Sequence, residues 1–477
     1  MAAMLVEYFE QMSQPKQFVS RTGQEFKTHQ EMLRRKLLTC ASLWPLPERP
    51  PLDPHLSPPL DHEWCTVRRV AYQLWPEVYS TGLLYMPKEF AERPAPAVLC
   101  PHGHWPHGNA DPEVQRRCLT LAQMGYVVFS SSQNHYEDLA WGISHQTLMI
   151  WNNVRALDLL ESLPEVDKTR IGVAGESGGG LQTQMLVAVD TRVKAATIVG
   201  MTCDYREILF PASNHCACNH FPNIMRHADG PELAALGLPA ATQFLTMNDW
   251  TATFEQTNYP SIRRLYEDNA LGRRTDCHYE PTCHAFDKSK RERMYGWMEK
   301  WLRGREGLAV SEPEVKPLDV PTLLALKADA PANKGFGQIS RIFAAQYRPA
   351  VPKLASVQDW DDWRKGPLAA LSGLLGEPLA RNATAPQTIK SETQDGLVVE
   401  RILCASEGRL LLPVLVIRLA DAKAKLPIVI LCDERGKAAA VGETSEASAL
   451  SRAGRPGAAS RPSFRRGTAL GRAEGPD

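Results

Sequence analysis

The 477-residue chain is 43% hydrophobic and 23% charged, with a formal net charge of zero. These are the proportions of an ordinary globular protein. The charge balance gives no reason to expect a nucleic-acid or anionic-membrane partner, and no apolar run approaches the ~20 residues a spanning helix needs.

Length alone predicts two or three domains. The first residues carry Glu7 and Glu10 and no basic segment ahead of an apolar core, so no signal peptide is expected unless the start lies upstream. The eleven cysteines are odd in number and scattered, which favours reduced thiols and a cytoplasmic location.

Residues 1–60 read as a helical lead-in, helix-like over Glu31–Leu38, and then a proline-rich arm. Pro45, Pro47, Pro50, Pro51, Pro54, Pro58 and Pro59 forbid regular structure there, and the arm is expected along a sheet edge. A domain over 61–305 follows. Thr66–Leu74 and Tyr79–Met86 predict a hairpin turning at Pro76-Glu77. Ala97–Cys100 predicts a short buried strand ending at Pro101-His102-Gly103-His104. A helix near Pro112–Met124, a strand at Tyr126–Ser130 and a helix at Leu148–Leu163 come next. Ala195–Val199 is a buried strand, Thr202–Pro239 an insertion, and Gln243–Met247 a strand again. Ser261–Glu267 reads as helix, Asp276–Tyr279 as strand and Lys288–Trp301 as a closing helix. Strands alternating with helices predict an α/β fold, a mostly parallel sheet covered on both faces.

The chain is organised around Arg170–Gly180, which reads RIGVAGESGGG. A β-branched run enters a turn at Gly175-Glu176-Ser177-Gly178-Gly179, and Leu181–Val187 continues as a helix. This is G-x-S-x-G between a strand and a helix, the context in which the motif holds a nucleophilic serine at a strained turn. Strand and helix approach so closely that Gly175 and Gly179 must lack side chains. The competing reading of such a turn is a glycine-rich loop that binds phosphate, or nothing.

The element order resembles that of the α/β-hydrolases, in which the triad follows the chain order Ser, Asp or Glu, His. Asp249, just after the strand that follows the insertion, takes the place of the acid. His284, between the last strand and the last helix, takes that of the base. His278 is the rival, but alternation places it within the strand. Chemistry requires all three groups: a serine hydroxyl is a poor nucleophile until an imidazole takes its proton, and a carboxylate must fix the tautomer of that imidazole. The oxyanion donors expected are the backbone N–H groups of Gly178 and His104. Gly103 completes the loop between them, and the His102 side chain is expected to brace it.

From about Leu33 to Leu302 the chain is similar to the acetyl xylan esterase-like branch of this superfamily. The marks are the PHGH loop, ALDLLESLPEVD, RIGVAGESGGG, the acid in MNDWT, and a histidine loop before a WMEKWL-type helix. The resemblance implies hydrolysis of a carboxylic ester, on a small molecule or a carbohydrate, through an acyl-enzyme and without a cofactor. Glu176, beside the nucleophile, departs from the pattern and would either repel anionic substrates or point away. Two other readings stand beside it: a serine peptidase of the prolyl-peptidase type, which usually carries a large domain in front, and a hydrolase-fold binding protein without turnover. His215-Cys216-Ala217-Cys218-Asn219-His220 offers four soft ligands, yet so tight a spacing argues against one tetrahedral zinc, and no metal is expected.

Residues 306–350 read as a linker, and 351–450 as a partial second copy without a triad. Trp363–Leu371, Leu397–Cys404, Leu411–Leu419 and Pro427–Gly436 echo Leu33–Leu38, the opening hairpin and Pro96–Gly103. Residues 451–477, rich in Arg, Gly, Ala and Pro, are expected to be disordered, as the product of a frameshift or as a basic tail.

Overall fold

A computed structural model describes residues 18–133, 141–209, 215–348, 352–375, 385–394, 396–406, 411–421, 428–431, 437 and 450. The chain forms two units, Met12–Ala355 and Ser356–Asp477 with Met1–Gln11.

In the first unit, helix α1 (Gly23–Cys40) leads into the proline-rich arm, whose short strands β1 (His55–Leu56) and β2 (Leu60–Asp61) pair antiparallel with β3 (Cys65–Trp75). The arm therefore runs along the sheet edge. Strand β4 (Val78–Pro87) closes the hairpin with β3, with Glu77 at φ +64° in its turn. Strands β5 (Ala95–Leu99), β6 (Val127–Ser131), β7 (Val166–Glu176), β8 (Val193–Val199), β9 (Ala241–Thr246) and β10 (Thr275–Tyr279) follow. The sheet order is β1-β3-β4-β6-β5-β7-β8-β9-β10, parallel from β6 onward. Strands β5, β6 and β9 are buried along their whole length, which is why β5 and β6 read as unbroken apolar or small-residue runs; in β9 the buried Gln243 is satisfied by Thr197 and Asp276.

Helices α2 (Pro112–Gln123), α3 (His145–Ser162), α4 (Gly178–Val189), α5 (Gly230–Ala235), α6 (Tyr259–Asp268) and α7 (Lys288–Arg303) connect these strands and cover the sheet. Asp111, Ser144 and Asp287 cap α2, α3 and α7 through their side chains, contributing about 1 kcal/mol each. On α3, Ile150, Val154, Leu157 and Leu160 are buried, and each contributes about 1.5–3 kcal/mol. The strand order reverses between β5 and β7, with β6 on one side and β8 on the other. Crevices for ligands open at the carboxyl ends of the strands flanking such a switch point.

The segment expected to be a linker is folded onto this unit. It carries α8 (Val320–Ala325) and α9 (Gly335–Tyr347). Val315 and Leu323 belong to the core, Ile339 is fully buried, and Glu312 makes a buried ion pair with Arg291 on α7 at 2.6 Å. These anchors are separated by prolines and polar residues without a period, so only tertiary contact organises them.

The second unit holds α10 (Val357–Leu375) and an antiparallel sheet of β11 (Gln387–Gln394), β12 (Leu397–Ala405) and β13 (Leu411–Leu419). The helix and hairpin of the expected repeat are present, but its third element is not. Ile428–Leu431 form no strand, and Ile428 and Ile430 are 89% and 84% exposed. A strand of the buried parallel type depends on neighbours on both sides, and these residues have none among the described ones. Among the described residues, the echo is carried by the helix and the hairpin alone. Residue 427, residues 432–436 and the whole 451–477 tail lie outside the described residues.

Candidate active site

Ser177 sits between β7 and α4 at φ +58°, a conformation a serine side chain disfavours, held by its N–H to Val199 O at 3.0 Å. The glycines around it are required by backbone approach. A Cβ on Gly175 would lie 2.4 Å from Gly179 O, and one on Gly179 2.4 Å from Pro101 O. A Cβ on Gly103 would meet Glu176 O at 2.9 Å and Ser177 Cβ at 3.1 Å, so the loop after β5 is pressed against the elbow.

Two hydrogen bonds of the His102 ring tie that loop down. The backbone N–H of Gln133 donates to His102 Nε2 at 3.0 Å, which leaves Nδ1–H to donate to Gly103 O at 2.7 Å. Both partners fix one neutral tautomer. The His104 ring stands beside the start of α4, its Cε1 3.2 Å from where a Gly178 Cβ would be.

Asp249 and His284, from the loops after β9 and β10, meet at Oδ2···Nδ1 2.7 Å. The Asp249 side chain is 4% exposed, and its other oxygen accepts from Thr251 N at 2.7 Å and Thr251 Oγ1 at 2.6 Å. The carboxylate is thereby oriented by three donors. Gly200, at φ +59°, makes room for the pair: a Cβ there would lie 3.1 Å from His284 Cε1 and 3.2 Å from Asp249 Oδ2. Trp250 lies against His284 with centroids 4.5 Å apart and the rings tilted by 43°, and His215 meets its ring edge-on at 4.4 Å. His284 Nε2 is buried without a hydrogen-bond partner. No hydrogen bond joins it to Ser177 Oγ, as is common before substrate tightens such a site. His278 lies within β10 and faces Glu280 at 3.4 Å.

Glu176 does not point away. It is buried, with Oε1 3.8 Å from His284 Nε2. Burial pushes its carboxyl above the usual range, against the opposing pull of His284 and Arg117. For His284, burial works to lower the pKa, but the hydrogen bond to Asp249 and the charges of Glu176 and Asp249 outweigh it, and the net shift is upward. Sequence reasoning saw Glu176 in the motif but missed its place beside the imidazole, along with Gly200 and Trp250. Of these only Trp250, adjacent to the acid in MNDWT, left a signal in the sequence.

A cavity of about 470 Å³ opens near the elbow, with none of Ser177, Asp249 and His284 in its lining. Gln133 and Gln182 line it. Gln182 Nε2 also donates to His102 O and Gly178 O, and Gln133 Nε2 lies 3.4 Å from the Gly178 Cβ position. Leu74, Tyr79, Met149, Asn152 and Asn333 form much of the remaining wall.

The four ligands of the His215–His220 segment do not converge. His215 turns to Trp250 and His220 is exposed. Cys216 and Cys218 instead approach His104.

No protein-family model matches the chain. The Bacillus subtilis (strain 168) protein YtaP, which carries the name of a hydrolase, is 26% identical over 232 residues, 43% of this chain and 77% of that protein. Among solved structures, methylesterase BT1017 superposes with a TM-score of 0.56 at 20% identity, over 76% of this chain and 80% of that one. The chain has the α/β-hydrolase fold. An acetyl xylan esterase from Paenibacillus sp. R4 is similar at 18% identity and a TM-score of 0.42, over 58% of this chain and 95% of that one. Within the hydrolase fold, Ser177, Asp249 and His284 follow the carboxyl ends of the parallel strands β7, β9 and β10.

Proposed function

We propose that the chain is a serine hydrolase of carboxylic esters, with Ser177 as nucleophile, His284 as base and Asp249 as its orienting carboxylate. The observation that carries this reading is the 2.7 Å Asp249–His284 bond, with the unpartnered Nε2 facing the elbow side, where Glu176 precedes a serine of left-handed backbone conformation. His284 Nε2 takes the Ser177 hydroxyl proton as Oγ bonds to the ester carbonyl carbon. The N–H groups of Gly178 and His104 receive the developing oxyanion. The imidazolium then gives its proton to the departing alkoxide, leaving an acyl-serine and a free alcohol. Water, deprotonated by the same nitrogen, releases the carboxylic acid and restores the hydroxyl. No cofactor enters any step.

The nearby cavity supports a substrate with a hydroxyl group: the buried Gln133 Oε1 has no hydrogen-bond partner and can accept from one, beside the apolar Leu74 and Met149. A short acyl ester on a carbohydrate fits that chemistry, in line with the resemblance to acetyl xylan esterases. The test is turnover of acetyl and methyl esters of sugars and of a peptidyl amide, with organophosphonate labelling followed by peptide mapping. Ester turnover with a phosphonyl adduct on Ser177 is expected. Cleavage of the amide alone, or an adduct on another residue, would overturn the reading.

The raised pKa of His284 gives a pH dependence. The base must be neutral, so the acidic limb of kcat/KM is expected above the ordinary histidine value of 6.5. Glu176→Gln removes one of the charges that raise it, and the limb should move to lower pH. A limb unmoved by that change would show that Glu176 does not act on the imidazole.

A further inference from the structure

Cys216 and Cys218 lie in the insertion between β8 and β9, at the start of a single 3-10 turn, Ala217–Asn219. Cys216 caps that turn, with its sulfur accepting from Cys218 N at 3.4 Å, which brings both sulfurs to one side. The turn is anchored from behind: buried Gln146 on α3 donates to Cys218 O at 2.6 Å. Across from it stands His104, 114 positions away in sequence, with Nε2 3.7 Å from Cys218 Sγ. The three ligand atoms lie within 4.8 Å of one another.

We propose that His104, Cys216 and Cys218 bind a zinc-type divalent cation. With a metal–sulfur bond of about 2.3 Å and a metal–nitrogen bond of about 2.0 Å, ligands at the tetrahedral angle stand about 3.6 Å apart for N···S and about 3.8 Å for S···S. The His104–Cys218 separation already meets the first value. The sulfurs need close by no more than about 1 Å to meet the second. Two thiolates and an imidazole are the donor set that selects zinc over magnesium or calcium, and three protein ligands leave the fourth position to water or another small ligand. The tight Cys-x-Cys spacing is no obstacle here, because the third ligand comes from the loop after β5 and not from the same segment. Binding releases the thiol protons to solvent and leaves both sulfurs as thiolates. The ion ties the insertion to the His102-Gly103-His104 loop, whose Gly103 lies against Ser177. It thus fixes the distance between the mouth of the site and one of its oxyanion donors. The binding claim itself does not depend on the esterase reading.

The test uses the full chain, reduced and freed of metal, titrated with Co²⁺ under anaerobic conditions and then with Zn²⁺ in competition. The expected result is one equivalent bound, with thiolate-to-cobalt charge-transfer absorption and a tetrahedral ligand-field spectrum that zinc abolishes. Cys216→Ser, Cys218→Ser and His104→Gln should each weaken binding by more than the ~10–100-fold cost of losing a supporting outer-shell partner, while Cys40→Ser leaves the spectrum unchanged. His104 is exposed, so its variant remains informative if a cysteine change disturbs folding. No uptake by the reduced wild type, an unchanged spectrum in His104→Gln, or an equal loss in Cys40→Ser would each overturn the proposal.

Discussion

Ser177→Ala is expected to lower kcat by several orders of magnitude, leaving about 10³–10⁴-fold residual acceleration over water from the oxyanion donors and binding alone. KM should change little, since the hydroxyl contributes to bond making and not to holding the ground state. Because nucleophile, base and carboxylate act as a unit, the double variant Ser177→Ala/His284→Ala should be no slower than either single one. Losses that multiply would mean the two residues act in separate steps. Alanine at 177 should also relax the elbow only in part, because alanine disfavours φ +58° as serine does. Folding stability should therefore stay close to wild type, so the lost rate reports chemistry. The measurement is kcat and KM on the best ester of the panel, with urea midpoints alongside.

Gly179→Ala is expected to damage both the fold and the elbow. The added carbon would lie 2.4 Å from Pro101 O and 3.0 Å from His102 C, all backbone. No rotamer change relieves such a contact, so the loop after β5 must withdraw from α4. Overpacking in a tight core costs about 1–3 kcal/mol when side chains can adjust. With backbone on both sides the loss should reach or exceed the top of that range, read as a lowered urea midpoint. The withdrawing loop carries the His104 N–H, and a displacement of about 1 Å near a reacting centre can cost about 10²-fold in rate. Gly296→Ala supplies the contrast. It lies within α7, where the nearest atom to its Cβ would be Leu308 O at 3.4 Å, an ordinary contact. There the same methyl should raise stability by about 0.5–1 kcal/mol through helix propensity. Equal effects at the two positions would refute the close-approach account of the elbow.

Much of the hydrolase unit was legible because its central strands are buried on both faces and helices α2, α3 and α7 begin at side-chain caps. The β-branched run before Gly175 could only be a strand, and Asp249 and His284 were found by their places after strands. His102 could be assigned a bracing role because it sits in a turn between buried elements. What remained hidden depends on contacts that leave no period in the sequence. Val315, Leu323 and Ile339 are scattered through a proline-containing segment, so the folding of 306–350 onto the core had no local signature. Gly200 follows an apolar strand and looked like a strand end, when its role is to clear space for Asp249 and His284. The approach of His104 to Cys216 and Cys218 joins segments that only the completed sheet brings together. In the second unit, β12 and β13 resemble β3 and β4 because hairpin strands share composition. Among the described residues the likeness extends over the helix and the hairpin, and Ile428–Leu431 form no strand.

The carboxyl at Glu176 sets conformational stability and turnover against each other. Its folded-state pKa lies above the unfolded value near 4.5, so its contribution to stability is full below that value and is lost as pH rises and the buried group ionises. His284, also raised, stabilises the fold fully below 6.5 and loses that contribution as pH rises through its folded value. The proposed mechanism needs the opposite condition, a neutral imidazole. The site is therefore best able to work over the range of pH in which these two groups do least to keep the molecule folded, and the elbow is a place where resistance to unfolding has been given up for a charge beside the base.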